Sequence, residues 1–301
     1  MNHAFVTAIL AACLIHGSTL PGDAGTAATA EPSAGNAITR AAVLAKLRPS
    51  VLKLLNEVES KTGLQAVFRP TAPGTYVVAQ YFFDPRTNTP TISLGKGWED
   101  VDVAHELTHM KMELLDGYRV LAWRRDVTHS KETEAAFGRV RCYVDDQVVH
   151  VLLARAGYKV DGEVLKPPLF DSIYTKVPRY LNENRPPRDD GMAHLDPLGH
   201  GDLCRAAFLV QAELLPKLFG ETLPPERLKL AKEFAAAFRQ HRPKEAEKAD
   251  KILALFQKYD VMTLAGHESI LKEWSEMEGL DRFVGISSYK RENGKYVLPW
   301  P

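Results

Sequence analysis

VDVAHELTHMKM, residues 101–112, carries two histidines four positions apart, His105 and His109, with Glu106 directly after the first. On a helix, residues at this spacing lie on one face, with β-carbons about 5–6 Å apart. Two imidazoles at that distance can bind one zinc ion through Zn–N bonds of about 2 Å. Glu106 would lie beside the ion, where a carboxylate can take a proton from a water that zinc acidifies.

The H-E-x-x-H pattern therefore predicts two zinc ligands, His105 and His109, and a general base, Glu106. The bare pattern arises by chance in about one chain in fifty of this length, so its context matters. Here it lies in a predicted helix that follows directly after a predicted β-hairpin. The alternative is a helix face with one packed and one exposed histidine and a solvated glutamate.

A catalytic zinc normally has three protein ligands and one open position. The metzincin arrangement is excluded because Met112 and Leu115 stand where it needs glycine and histidine. Two acids at the start of the next predicted helix are the remaining candidates. At 100° per residue, Glu132 borders the apolar face of that helix and Glu134 points to its polar side. We therefore predict Glu132 as the third ligand, with Glu134 second; alternatively, both are solvated acids of a first helical turn.

The elements around the motif form an α+β pattern. Apolar residues three and four apart predict a helix over 38–60, and Thr62-Gly63 closes it. β-branched and aromatic residues predict two paired strands that precede the motif helix. The expected segments are strands at 76–83 and 89–94, the motif helix from Trp98 to Gly117, a helix from Ser130 to Ala156, and a mainly helical stretch over 201–279.

This order of elements resembles the gluzincin group of zinc metallopeptidases. ETEAAF, residues 132–137, is similar to the first six positions of the E-x-x-A-[DN]-x-[FA] pattern of CAAX-type and ImmA/IrrE-type members, although Ala136 replaces the expected Asp or Asn. The resemblance covers about residues 76–150. It implies a zincin-like fold, Glu132 as a zinc ligand, and a strand at 91–94 that lines the substrate cleft. Asp102 or Asp146 would then orient the ligand histidines.

Bulk composition excludes several other classes of protein. The chain has 301 residues, and 38 basic residues balance 38 acidic ones. The absence of a basic excess argues against a nucleic-acid partner. The body of the chain contains no apolar run long enough to span a membrane. Glycine-rich phosphate loops, nucleophile elbows and dinucleotide fingerprints are absent from the sequence.

The N-terminus predicts export. Residues 4–15 are almost wholly apolar, and 17–37 are rich in small residues and proline. ATA at 28–30 has the small-x-small form of a cleavage site, which predicts a signal peptide over 1–30. An uncleaved anchor and lipoprotein processing at Cys13 are the less favoured alternatives. We therefore expect a secreted or periplasmic location.

Export also bears on the remaining cysteines and on the domain plan. Cys142 and Cys204 would remain after cleavage, and an oxidising compartment favours a disulfide between them over two separate buried thiols. A zincin-like catalytic core is expected over 31–160. The mainly helical part at 161–301 would complete the cleft.

Together these patterns predict a zinc metallopeptidase with one zinc ion per chain and a peptide or protein substrate. The second hypothesis is an exported zinc-binding protein without peptidase activity. An open coordination position would indicate an enzyme, whereas a fourth protein ligand would indicate a closed, structural site. His194 and His200, in a proline- and glycine-rich loop, could stabilise a transition state but more simply face solvent. The sequence leaves the oligomeric state open.

Overall fold

The structure, a computed structural model, describes residues 38–72, 78–125, 127–165, 201–220 and 222–299. Within these ranges helices predominate and the strands form small sheets, so the expected α+β class is confirmed. In the same ranges, none of the helices combines the length and the apolar character needed to cross a membrane. The signal-peptide prediction at 1–30 lies outside the described residues.

The described elements, numbered in chain order, alternate between helices and short strands before the helical C-terminal part begins. They are α1 (Arg40–Leu44), α2 (Pro49–Thr62), β1 (Val67–Pro70), β2 (Ala79–Asp84), β3 (Thr89–Leu94), α3 (Asp100–Leu114), β4 (Val120–Trp123), α4 (Lys131–Arg155), α5 (Gly201–Phe219), α6 (Pro225–His241), α7 (Pro243–Lys258), α8 (Leu264–Met277), β5 (Val284–Ser287), β6 (Lys290–Glu292) and β7 (Lys295–Val297).

A proline divides the helix expected over 38–60. Pro49 begins α2, and Arg48 before it is extended, with φ −65° and ψ 157°. A residue that precedes proline is sterically disfavoured in the helical region, so α1 ends and α2 starts anew. The predicted end is confirmed, because Gly63 caps α2 in the left-handed conformation with φ 70°.

The three-stranded sheet has the order β1-β3-β2. β3 pairs in parallel with β1, with Val67 opposite Thr91, and antiparallel with β2, with Ala79 opposite Leu94. The expected strand at 89–94 is confirmed, but its expected position at the cleft is wrong. β3 has a neighbour on both sides, so its backbone groups are used within the sheet. The edge strand β2 borders the site instead.

The sheet and the motif helix share one apolar core. α3 packs against β2 and β3 and against α2 and α4. Ile92 of β3 and Leu107 and Met110 of α3 have no exposed surface. Burial of these side chains fixes the rotation of α3, because the apolar positions must face the core. The opposite orientation would expose them to water.

The long helix expected over 130–156 is confirmed as α4. Ser130 caps its N-terminus, and the Ser130 hydroxyl accepts a hydrogen bond from the backbone N–H of Thr133 at 3.3 Å. Serine is a preferred residue at this position because its hydroxyl satisfies a backbone donor of the first turn. α4 packs against α3 and, in the C-terminal part, against α8.

Helices α5 to α8 form the described part of the C-terminal region. α5 packs against α6 and α7, and α8 packs against α7. β5 pairs antiparallel with β4, with Val120 opposite Ser287, and thereby joins the end of the chain to the segment between α3 and α4. One hydrophobic core contains residues from both sides of position 160. The five short strands β1, β4, β5, β6 and β7 were not predicted, since three or four residues show too little alternation.

The central position of β3 gives a test of the fold. We expect Ile92→Ala to lower the free energy of unfolding by about 2–5 kcal/mol, because the substitution leaves a cavity in a fully buried position. Phe82→Ala, on the edge strand at a side chain that is 50% exposed, is the control and should cost less than about 1 kcal/mol. Urea unfolding followed by circular dichroism measures both. Equal losses would contradict the central placement of β3.

Candidate metal centre

The first half of the site comes from α3. An acidic side chain orders the start of this helix: the backbone N–H of Glu99 donates to Asp102 Oδ2 at 2.8 Å. His105 and His109 follow on one face, with Nε2 atoms 3.1 Å apart and side chains 23% and 15% exposed. The helix therefore delivers both imidazole nitrogens to one point, as the spacing predicts.

The second half of the site comes from α4. Asp146 Oδ1 lies 3.2 Å from His109 Nε2 and 3.4 Å from His105 Nε2. These three atoms form a nearly equilateral triangle with edges of 3.1–3.4 Å. A tetrahedral zinc ion with bonds of 2.0–2.1 Å separates its ligand atoms by about 3.3–3.4 Å. The spacing of these two imidazoles and one carboxylate is thus compatible with binding of one metal ion.

Asp146 occupies the place that we expected for Glu132. Glu132 is exposed at the first turn of α4, fourteen residues before Asp146, or about 21 Å along the helix axis. At 100° per residue the two positions differ by only about 40° around the helix. The expected face of the helix was therefore right and the level along its axis was wrong. Periodicity gives the face, whereas the level depends on where α3 and α4 cross.

The second candidate, Glu134, also lies away from the histidine pair. His129 Nε2 lies 3.2 Å from Glu134 Oε1, and the His129 ring stacks on Trp123 with centroids 4.0 Å apart. Phe137 also stacks on Trp123, with ring centroids 4.3 Å apart. The run that resembles the family pattern thus packs around Trp123 near the start of α4.

Glu106 contacts the edge strand of the sheet. The residue is 8% exposed, and its Oε2 accepts a hydrogen bond from the backbone N–H of Tyr81 at 2.7 Å. This N–H belongs to the side of β2 that faces away from β3. The contact holds the Glu106 carboxylate in the cavity that the three ligand side chains also line. The structure therefore brings together all three residues of the motif.

Electrostatic interactions among the three side chains determine their protonation when no ion is bound. Burial alone would lower the pKa of His109, but the hydrogen bond and negative charge of Asp146 outweigh burial and raise that pKa to about 9. Burial would raise the pKa of Asp146, yet hydrogen bonds from His105 and His109 hold it well below its usual range. At neutral pH a proton on His109 therefore compensates the Asp146 carboxylate.

A buried ion-pair network continues behind the ligands. Arg141 Nη2 donates to Glu113 Oε1 at 2.6 Å, and Arg141 Nε lies 3.6 Å from Asp145 Oδ2. His267 of α8, which has no exposed surface, lies 2.8 Å from Asp145 through Nε2. The neighbouring residues Asp145 and Asp146 thus point to different partners. Asp145 ties α4 to α8, and Asp146 faces the histidines of α3.

Comparison of the chain with family models, with curated proteins and with solved structures found no match to any of the three. The case for a function therefore rests on the geometry of the site. His194 and His200 lie outside the described residues, and so does the side chain of Cys204, the predicted disulfide partner of the buried Cys142.

Asp146 is the site residue that the sequence did not single out as a ligand. The available signal was D-x-x-x-H at 146–150, in which a carboxylate and an imidazole stand one turn apart on the side of α4 that carries the apolar residues. The structure places the His150 ring 5.5 Å from the His105 ring, measured between centroids.

The ligand assignment predicts unequal effects of two acidic substitutions. We expect Asp146→Asn to weaken Zn²⁺ binding by more than about 100-fold, since even an outer partner of a ligand is worth about 10–100-fold. Glu132→Gln, on the same helix face, should leave zinc affinity unchanged. Competition with a chromophoric chelator measures both dissociation constants. Loss of zinc in Glu132→Gln alone would return the third ligand to the start of α4.

The raised pKa of His109 predicts that zinc binding releases a proton. A metal ligand must be deprotonated, so between about pH 6.5 and 9 zinc displaces the His109 proton and its apparent affinity rises by up to about tenfold per pH unit. Above about pH 9 this contribution ends. Calorimetric titration at pH 7.5 in buffers of different ionisation enthalpy counts the released protons. Binding without proton release would contradict the coupling of His109 to Asp146.

Proposed function

We propose that the chain is a zinc-dependent metallopeptidase with a zincin-like arrangement of its core. The observation that carries the proposal is the triangle of His105 Nε2, His109 Nε2 and Asp146 Oδ1, with the Glu106 carboxylate in the same cavity. Two nitrogens and one oxygen suit zinc, although other divalent ions also accept such ligands. We expect one ion per chain.

The number of ligands favours an enzyme over a structural site. The three ligand atoms lie within 4.8 Å of one another, and among the described residues no fourth histidine, cysteine or acid joins them at that distance. Structural zinc sites are commonly closed by four protein ligands, whereas catalytic sites keep one position open. The open side faces a cavity of about 90 Å³, which has space for more than one water or a small reacting group.

Glu106 is suited to the proton transfers of peptide hydrolysis. Zinc, when bound, supplies a Lewis acid that polarises a carbonyl and acidifies water. The Glu106 carboxylate accepts only the Tyr81 N–H among the described hydrogen bonds, and an ionised carboxylate has about four acceptor sites. It can therefore take a proton from the attacking water and later give that proton to the leaving amine.

The edge strand offers a way to hold a peptide. Tyr81 directs its N–H away from β3, and Ala79, two residues earlier, faces the same side because backbone groups alternate along an antiparallel strand. Both residues line the cavity. We propose that an extended peptide lies along β2, the general mode of strand addition. The role that the resemblance gave to 91–94 thus passes to the neighbouring strand.

We further propose a secreted or periplasmic location with a cleaved signal over 1–30, and this part of the proposal rests on the sequence alone.

Glu163 and Val164 line the cavity from beyond α4. They support the expected contribution of the region 161–301 to the cleft. The proposed partner is a peptide or protein substrate.

The proposal makes a sharp prediction for Glu106. Glu106→Gln should retain zinc but lower turnover by about 10²- to 10⁴-fold, because it removes the general base and leaves the three ligands in place. Glu132→Gln is the matched control, an exposed glutamate that should leave both properties unchanged. Mass spectrometry of a diverse peptide mixture, incubated with the zinc-loaded full chain, measures cleavage.

Two results would overturn parts of this proposal. Equal cleavage by wild type and Glu106→Gln would remove Glu106 as the base. Stoichiometric zinc in a wild-type protein that cleaves no peptide would favour the second hypothesis, an exported zinc-binding protein without peptidase activity.

A further inference from the structure

Among the described histidines that line the cavity, His150 is the one that does not belong to the metal-binding cluster. It lies one helical turn after Asp146 on α4, so both side chains emerge on the same face. The His150 ring lies 5.5 Å from the His105 ring between centroids, with the planes tilted by 56°. Only 4% of the residue is exposed, and it borders the cavity beside the ligands.

The Nδ1 atom of His150 is buried and has no hydrogen-bond partner in the part of the chain that the structure describes. Most buried polar atoms in proteins do have a partner, because an unsatisfied one costs about 1–3 kcal/mol. This buried nitrogen, beside a cluster arranged for metal binding, therefore has a hydrogen-bonding position left for a ligand held at that cluster.

The same nitrogen is unsuited to be a fourth zinc ligand. The group of potential ligand atoms within 4.8 Å of one another contains His105, His109 and Asp146 but not His150. A donor to an ion-bound oxygen lies farther from the ion than the ligands do. The ion–oxygen bond of about 2 Å and the hydrogen bond of about 2.8 Å separate this donor from the ion. A ring that contacts a ligand ring, but lies outside the ligand set, fits this second position.

We propose that His150 Nδ1 donates a hydrogen bond to the oxyanion of the ligand that occupies the open side of the metal centre. The inference rests on the proposed function, in which that oxyanion develops from the carbonyl oxygen of the scissile peptide. A preformed donor aimed at developing negative charge is a large contributor to catalysis. Carboxylates and hydroxamates, which present similar oxygens, would bind through the same contact.

The surroundings of His150 support a neutral donor. The residue is 4% exposed and its ring lies against the His105 ring, so a positive charge on it would be buried beside the metal centre, which is costly. A neutral imidazole carries one N–H and adds no positive charge next to a divalent ion. A protonated ring would repel that ion.

Two nearly isosteric substitutions test this contact. In His150→Asn the amide nitrogen stands close to the place of Nδ1 and can still donate, whereas His150→Leu has a similar shape without a donor. Wild type and both variants, as full chains, are loaded with Co²⁺, whose visible spectrum reports the ligand set. Each is then titrated with acetohydroxamate as the oxyanion probe.

We expect all three proteins to bind Co²⁺ with similar affinity and spectra. His150→Leu should bind acetohydroxamate about 10- to 100-fold more weakly than wild type, the range for losing one hydrogen bond to a charged group. His150→Asn should recover a substantial part of this loss. Such a pattern depends on the donor and not on the packing of the cavity.

Other patterns would overturn the assignment. Unchanged probe affinity in His150→Leu would show that His150 makes no such contact, and equal weakening in both variants would indicate a packing effect. A changed Co²⁺ spectrum in both would make His150 a ligand. A wild-type protein that binds Co²⁺ and the probe through His150, but cleaves no peptide, would overturn the peptidase proposal and leave the role of His150 in place.

Discussion

The crossing of α3 and α4 is the contact on which the site depends. It brings two imidazoles from one helix and one carboxylate from the other to within 3.4 Å, although His109 and Asp146 are 37 residues apart. Neither helix can form this cluster alone, since α3 supplies two of its side chains and α4 the third. Both helices pack into one apolar core, and the burial of their apolar side chains stabilises this arrangement.

The crossing also concentrates charged side chains in the buried interior. Glu106, Glu113, Asp145 and Asp146 all line the cavity, and Arg141 is the one arginine or lysine among the described residues that line it. Buried charges are costly unless they are compensated. The raised pKa of His109 is one compensation, because it places a proton next to Asp146. A divalent cation would offset more of this negative charge, which is a second and independent reason to expect a metal.

Elements outside the helix pair hold the remaining groups in position. The edge strand β2 uses the Tyr81 N–H to fix the Glu106 carboxylate, and α8 uses His267 to hold Asp145, the neighbour of Asp146. The pairing of β4 with β5 joins the C-terminal end of the chain to the same core. The sheet, the helix pair and the C-terminal helices therefore all position side chains at one cavity.

The sequence by itself determined what is local. Four-residue spacing placed His105 and His109 on one face, and capping residues and periodicity predicted the long helix α4 and which of its faces is apolar. All of these depend on interactions within a few residues. Only the tertiary structure decided which level of α4 meets the histidines, and hence that Asp146 rather than Glu132 completes the triangle and that His150 lies beside it. It also made β2, not β3, the edge strand. Helix crossings and strand order depend on contacts between distant segments, and the period of one segment carries no information about its position relative to another.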